Sequence, residues 1–217
     1  VGVGADDVGE EQLGQGTKWL MDLLWTLKDD KFEAMALADE KHKCPRCGKA
    51  SKLYCERCVE RVGDTTGVPS VRLPLEIAVV QHSSENKNKS TAAYASLVSD
   101  DCNIYTFPLM PPGIEASNSV VLFPASDAVP LSDIPPSKWE GIQHVIIIDS
   151  TWITANQILT DTRLEGMPRV VISDEQTTFW RYHNLGETCL STLECIYHFA
   201  RQHWQHTSGG GGGYSGE

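Results

Sequence analysis

The chain is predicted to fold as an α/β protein with a largely parallel sheet, helices on both faces, and a small cysteine module in front of it. Three observations carry this. Val145-Ile146-Ile147-Ile148 is an unbroken apolar run closed by Asp149-Ser150, the pattern of a short strand covered on both faces. From about residue 71 onward, strand-like runs alternate with helical ones, which favours parallel pairing. Ahead of them, Cys44, Cys47, Cys55 and Cys58 form C-x2-C-x7-C-x2-C, a spacing that builds a metal knuckle.

Residues 1–16 read as a disordered acidic lead and 17–40 as a helix, with Trp19, Leu20, Leu23, Leu24 and Leu27 at helical spacing. Residues 41–62 are the cysteine module, and 63–70, with two glycines and a proline, a linker. Strands are expected at 75–80, 103–107, 120–123, 145–148 and 169–172. The polar run 83–90 feeds a helix at 91–98, and the proline-rich 108–113 joins two strands. After Asp149, Thr151-Trp152-Ile153-Thr154 opens another helix. A last amphipathic helix turns Leu193, Ile196, Tyr197, Ala200 and Trp204 inward. Five consecutive glycines make the tail too entropically costly to order alone. The division is therefore 1–40 lead and helix, 41–62 module, 71–205 main domain and 206–217 tail.

The 217 residues suffice for one good core and a small module, and 41% hydrophobic with 22% charged residues is an ordinary globular composition. No apolar stretch approaches the ~20 residues of a membrane helix, so no membrane partner is expected. Residues 1–15 lack the basic and apolar regions of a signal peptide, which points to nucleus or cytoplasm. The net charge of -11 opposes a nucleic-acid partner if averaged, but it is unevenly spread. Residues 1–40 hold ten acids against three lysines, whereas 41–61 hold seven Lys or Arg against Glu56 and Glu60. The module is a basic island.

In a reducing compartment, four cysteines at this spacing indicate a structural zinc site, with a redox pair as the alternative. About twenty residues bury too little apolar surface to fold without such a staple. Cys102, Cys189 and Cys195 read as small buried hydrophobes. Lys43, Arg46, Lys49, Lys52 and Arg57 form either a solvated face or an RNA contact. Asp149 stands where a strand gives way to a helix, the place where open parallel sheets meet ligands. Either Asp149 or Ser150 serves as helix cap, or Asp149 does chemistry. Ser191 and Glu194 have the S-x-x-E capping-box spacing, at a helix start whose amides can also hold a carboxylate. His82, Glu85, Lys87, Lys89 and Thr91 gather polar groups on one loop, suited to RNA phosphates or the target nucleotide. Arg163, Arg169 and Arg181 are further phosphate candidates.

Asp149-Ser150-Thr151-Trp152 resembles the signature of the DTW-domain family, and further blocks follow in order. These are the two Cys pairs, His82-Ser83-Ser84-Glu85 with Lys89-Ser90-Thr91, Leu122-Phe123-Pro124-Ala125-Ser126-Asp127-Ala128, Phe179-Trp180-Arg181, and Leu190-Ser191-Thr192-Leu193-Glu194. The resemblance covers roughly residues 40–200. It implies a transferase that moves the 3-amino-3-carboxypropyl group of S-adenosylmethionine onto N3 of a tRNA uridine, releasing methylthioadenosine. The implied fold is SPOUT-like, with the cofactor against a knotted carboxy-terminal part of the sheet. It assigns catalysis to Asp149, Thr151 and Trp152. The cofactor falls to Leu122, Phe123, Pro124, Asp149, Leu190, Ser191 and Thr192, and the tRNA partner to His82, Glu85, Lys89 and Arg181. Family members continue past the glycine run into another aromatic-rich helix. The competing readings are a SPOUT-type RNA methyltransferase and a non-catalytic zinc-stapled binding module. Asp149 can act as base or orient the cofactor's amino group.

Overall fold

The computed structural model describes residues 40–55, 57–65, 68, 70–85, 90–177 and 189–207, with the side chain of Trp152 left aside. The helix expected at 17–40 lies almost wholly outside these residues, as does the glycine tail from 208 onward.

The cysteine module consists of two small antiparallel hairpins: β1 (His42–Lys43) with β2 (Ala50–Ser51), and β3 (Tyr54–Cys55) with β4 (Glu60–Arg61). Its buried cluster is Cys44, Cys55 and Val62. Gly63 follows with φ +76, and a Cβ there would meet the His42 ring at 2.5 Å, so this turn requires glycine for both reasons.

The main domain runs β5 (Glu76–Gln81), α1 (Ala92–Val98), β6 (Cys102–Thr106), β7 (Ser119–Leu122), β8 (Val129–Pro130), β9 (His144–Asp149), α2 (Trp152–Leu159), β10 (Arg169–Val171) and α3 (Thr192–Thr207). The strands form a six-stranded sheet in the order β6-β5-β9-β7-β10-β8, with every pair parallel. The five expected strands are present with ends shifted by about one residue. The two-residue β8 was not anticipated, because no pattern can be read from so short a segment.

β9 lies between β5 and β7, and its apolar run divides between the two faces as the alternation of strand side chains requires. Val145 and Ile147 join Ile77, Val79, Val120 and Leu122 beneath α1 and α3. Ile146 joins Ala78, Val80 and Val121 beneath α2, with Ile148 packed at the margin.

The buried face of α3 is rotated from the expected one. Ile196, Phe199, Ala200 and His203 are buried, while Tyr197 and Trp204 are only half-buried. The reason is Trp139, whose ring lies 5.8 Å from Phe199 and 4.9 Å from His203 and so draws the 196-199-200-203 stripe inward. The helix also runs to Thr207, two residues into the expected tail.

The module rests on α1, with Arg61 at its carboxyl end and Tyr54 in its first turn. Arg61 donates to the carbonyl of Leu97 from Nε at 2.6 Å and from Nη2, and the Tyr54 ring meets Tyr94 edge-on at 5.6 Å. The amide of Val71 takes the carbonyl of Val98 at 2.7 Å. A seven-residue helix is marginal alone, and these partners satisfy terminal carbonyls while placing a cation at the negative end of its dipole.

Candidate active site

Because every strand pair is parallel, all the carboxyl ends emerge on one edge of the sheet, and the predicted residues of three strands meet there. Asp149 is the last residue of β9 and sits in register with Gln81, the last residue of β5. On the other side, Leu122 of β7 pairs with Ile147, so Phe123 and Pro124 leave the sheet beside Asp149.

Asp149 is half-buried, and one of its oxygens is firmly held. Oδ2 accepts from Gln81 Nε2 at 2.8 Å and from Ser90 Oγ at 2.5 Å. Ser90 Oγ in turn accepts from Gln81 Nε2 at 2.8 Å and from the amide of Ala92 at 3.2 Å, which leaves its proton for Asp149. Among the described residues Oδ1 has no hydrogen-bond partner.

The start of α2 explains why this carboxylate is available. Thr151 accepts from the amide of Thr154 at 3.4 Å and bonds its hydroxyl at 2.7 Å, while Ser150 also reaches that hydroxyl. The cap is therefore Thr151, not Asp149 or Ser150. Thr151 is exposed; the Trp152 side chain lies outside the described residues.

The start of α3 completes the rim. The amide of Ser191 donates to Glu194 Oε2 at 2.7 Å, and the amide of Glu194 donates to Ser191 Oγ at 3.3 Å, the reciprocal bonds of the expected capping box. The amide of Leu193 donates to Thr91 Oγ1 at 3.0 Å, tying the starts of α1 and α3 together. The cap amide and two first-turn amides are thus committed, and a ligand carboxylate at this helix start would find that of Thr192. Cys195 lies near Asp149: burial pushes its thiol up to about 12, with the charges of Glu194 and Asp149 adding to the effect. It behaves as the small neutral side chain expected, and so does Cys102, which burial also raises to about 12.

In the strip proposed for the cofactor, Leu122 is core and Pro124 is exposed. Between them, the Phe123 amide continues the pairing to Val170 at 3.0 Å, and its carbonyl accepts from Ala125 at 2.8 Å. The backbone groups of Phe123 are thus engaged, and Pro124 is the exposed residue of the strip.

The RNA candidates divide. His82 bonds Ser84 Oγ through Nδ1 at 2.6 Å and Gln157 Oε1 through Nε2 at 2.9 Å, and its ring stacks on Phe107. Both nitrogens are engaged, so His82 anchors its loop to α2 instead of offering a donor to phosphate. Glu85 closes the same turn through its amide to His82 O at 2.9 Å. Lys89 and Arg181 lie outside the described residues. Arg163 is clamped to Asp161 at 2.6 Å and to the carbonyl of Pro108, which holds the Asp161 carboxyl down to about 2. Arg169 pairs with Asp127 at 3.0 Å.

Gln81 and Ser90 were not singled out for a role. A polar residue ending an otherwise buried strand was the available signal for Gln81, since such a group must find a partner.

In the module, the four Sγ atoms of Cys44, Cys47, Cys55 and Cys58 all lie within 4.8 Å of one another, with Cys47 and Cys55 at 3.6 Å. Tetrahedral zinc with bonds of about 2.3 Å sets sulfurs roughly 3.8 Å apart, so the donor set fits that ion. The thiols titrate unequally. Desolvation raises Cys55, but hydrogen bonds from the Cys58 backbone and neighbouring thiols outweigh it and bring it to about 7. The hydrogen bond with Cys47, desolvation and the adjoining thiols push Cys58 up to about 12. Four thiolates this close would repel one another, and a bound cation would offset that repulsion.

Comparison with known proteins decides the family. A DTW-domain profile matches residues 41–209, which takes in both the cysteine module and the sheet.

The chain belongs to the DTW-domain family.

Its relatives include proteins named tRNA-uridine aminocarboxypropyltransferase 1. That of Xenopus tropicalis is 33% identical over 87% of this chain and 80% of its own length. That of Xenopus laevis is 34% identical over 82% and 77%, and that of Mus musculus 33% identical over 72% and 66%. No solved structure matches. In this DTW domain the signature runs from the last residue of β9 into the first of α2, and Asp149 is the one bound into the Gln81–Ser90 network.

Proposed function

We propose that this chain transfers the 3-amino-3-carboxypropyl group of S-adenosylmethionine to N3 of a uridine in tRNA. The observation that carries the reading is the DTW-signature carboxylate: Asp149 at the carboxyl edge of a parallel sheet, with Oδ2 fixed by Gln81 and Ser90 and Oδ1 left for a ligand. The names of the relatives supply the reaction class.

S-adenosylmethionine supplies an electrophilic carbon on its sulfonium. What the protein must add is orientation and a proton acceptor. Asp149 takes the N3 proton of the uridine as the nitrogen forms its bond to that carbon. The carbon–sulfur bond breaks with its electron pair going to sulfur, and methylthioadenosine leaves. Gln81 and Ser90 hold the carboxylate to one rotamer, so that its other oxygen points to the base. The negative charge also favours a cationic co-substrate nearby. Zinc bound by Cys44, Cys47, Cys55 and Cys58 has a structural part: four thiolates leave no open position for chemistry.

Replacing Asp149 with Asn tests this. Transfer is expected to fall by at least about 10³-fold, read as modified nucleoside by mass spectrometry, with S-adenosylmethionine binding retained in calorimetry. Loss of cofactor binding with the activity would make Asp149 an orienting group instead of a base.

A further inference from the structure

An enzyme acting on tRNA needs cations for the phosphate backbone, since these contacts supply most of the affinity. The main domain is poor in them. Residues 71–205 hold eight Lys or Arg against fifteen Asp or Glu. Each described arginine of this stretch is paired with a carboxylate: Arg72 with Asp101 at 3.1 Å, Arg163 with Asp161 at 2.6 Å, Arg169 with Asp127 at 3.0 Å, and Arg201 with Glu175. Among the described residues Lys138 is the remaining cation there.

The cysteine module is the opposite case. Lys41, Lys43 and Arg57 are exposed, and no carboxylate partner is found for them among the described residues. Arg46 is exposed too, and its nearest carboxylate, that of the partly open Glu60, is at 4.0 Å. Convergence of the four sulfurs gathers these charges, because Lys43, Arg46 and Arg57 are each within two residues of a ligand cysteine. Arg46 reaches across to the carbonyl of Cys58 at 3.5 Å, next to Arg57.

The module is also fixed relative to the site. Arg61 clasps the carboxyl end of α1 and Tyr54 packs on Tyr94 in its first turn, while Ser90, just ahead of the amino end, holds Asp149. Seven helical residues separate these ends by roughly 10 Å.

We infer that the cysteine module is the tRNA-backbone grip of this enzyme, with Lys41, Lys43, Arg46 and Arg57 on the phosphates while Asp149 meets the uridine. This rests on the proposed activity. The metal then sets the shape of the grip, and the Arg61 clasp sets its distance from the reacting base.

The test is tRNA binding by the zinc-loaded full chain over a salt series, with wild type, a Lys41→Gln/Lys43→Gln/Arg57→Gln variant, and Lys138→Gln as control. Each lost phosphate contact lowers the log–log salt slope by about 0.7–0.9, so the triple variant is expected to lose about two to three units and at least tenfold in affinity at low salt. S-adenosylmethionine affinity and zinc content should stay at the wild-type level. Lys138→Gln should leave the slope unchanged. An unchanged slope in the triple variant, or an equal loss in Lys138→Gln, overturns the inference. If the triple variant does not fold, single Lys43→Gln and Arg57→Gln variants, each losing about one unit, decide it in the same way. Salt-dependent tRNA binding by wild type without any modified uridine would instead overturn the proposed reaction while leaving the grip in place.

Discussion

In the cysteine module the buried cluster is Cys44, Cys55 and Val62, and Lys41, Lys43, Arg46 and Arg57 are exposed. In the parallel domain two apolar layers sandwich the sheet, and the described arginines are paired with carboxylates. One region has four cysteine sulfurs at its centre that fit a metal ion, and its exposed cations are the surface proposed for the tRNA backbone. The other draws its shape from burial, and the charged group described at its carboxyl edge is the Asp149 carboxylate. A net charge of -11 therefore says little about the partner, because the two regions carry opposite charge for different reasons.

The sharpest way to separate them is to remove the metal. Structural zinc sites of this kind contribute about 10 kcal/mol or more. Chelation, or Cys55→Ser, is expected to abolish hydrogen-exchange protection in residues 42–62 while β5 and β9 stay protected. Simultaneous loss in both would mean that the module is a part of the sheet's core. The reverse experiment is Ile147→Ala, which removes a side chain 3% exposed between β5 and β7 and should cost about 3 kcal/mol of domain stability by denaturant titration, with zinc still bound. Ser90→Ala leaves both folds in place but frees one side of Asp149. A 10- to 100-fold fall in kcat, with KM for S-adenosylmethionine little changed and partial rescue by Ser90→Thr, marks Ser90 as a positioning residue; a purely structural role would show in stability and leave kcat alone.

The smallest effect is on pH. Burial, helped by the charge of His206, depresses His203 below its ordinary 6.5, so the folded chain keeps it neutral and the unfolded chain takes up the proton first. Its contribution is complete above pH 6.5 and is lost as pH falls below that value, at up to about 1.4 kcal/mol per pH unit. His203→Gln should flatten the slope of stability between pH 6.5 and 5; an unchanged slope would assign it to His198, whose value burial also lowers against the pull of Glu175.

What the sequence made legible was local. The apolar run ending at Asp149 gave a buried strand and the residue that closes it, the Ser191–Glu194 spacing gave the capping box, and the cysteine spacing gave converging sulfurs. Contacts across distance were not legible. Gln81 and Ser90 lie 68 and 59 residues from Asp149, and only strand order brings them there. The inward face of α3 was misjudged for the same reason, since the partner that selects Phe199 and His203 is Trp139, on a loop sixty residues away. The capping of α2 by Thr151 in place of Asp149 depends on where β9 stops, a boundary that hydrophobic pattern locates only to within a residue or two.

Mass spectrometry of nucleosides from unmodified tRNA, incubated with the zinc-loaded chain and S-adenosylmethionine, tests the central claim most directly. A uridine heavier by the 3-amino-3-carboxypropyl group, formed together with methylthioadenosine and absent with Asp149→Asn, is the expected result. A methylated uridine with S-adenosylhomocysteine, or a product that persists undiminished in Asp149→Asn, would contradict it.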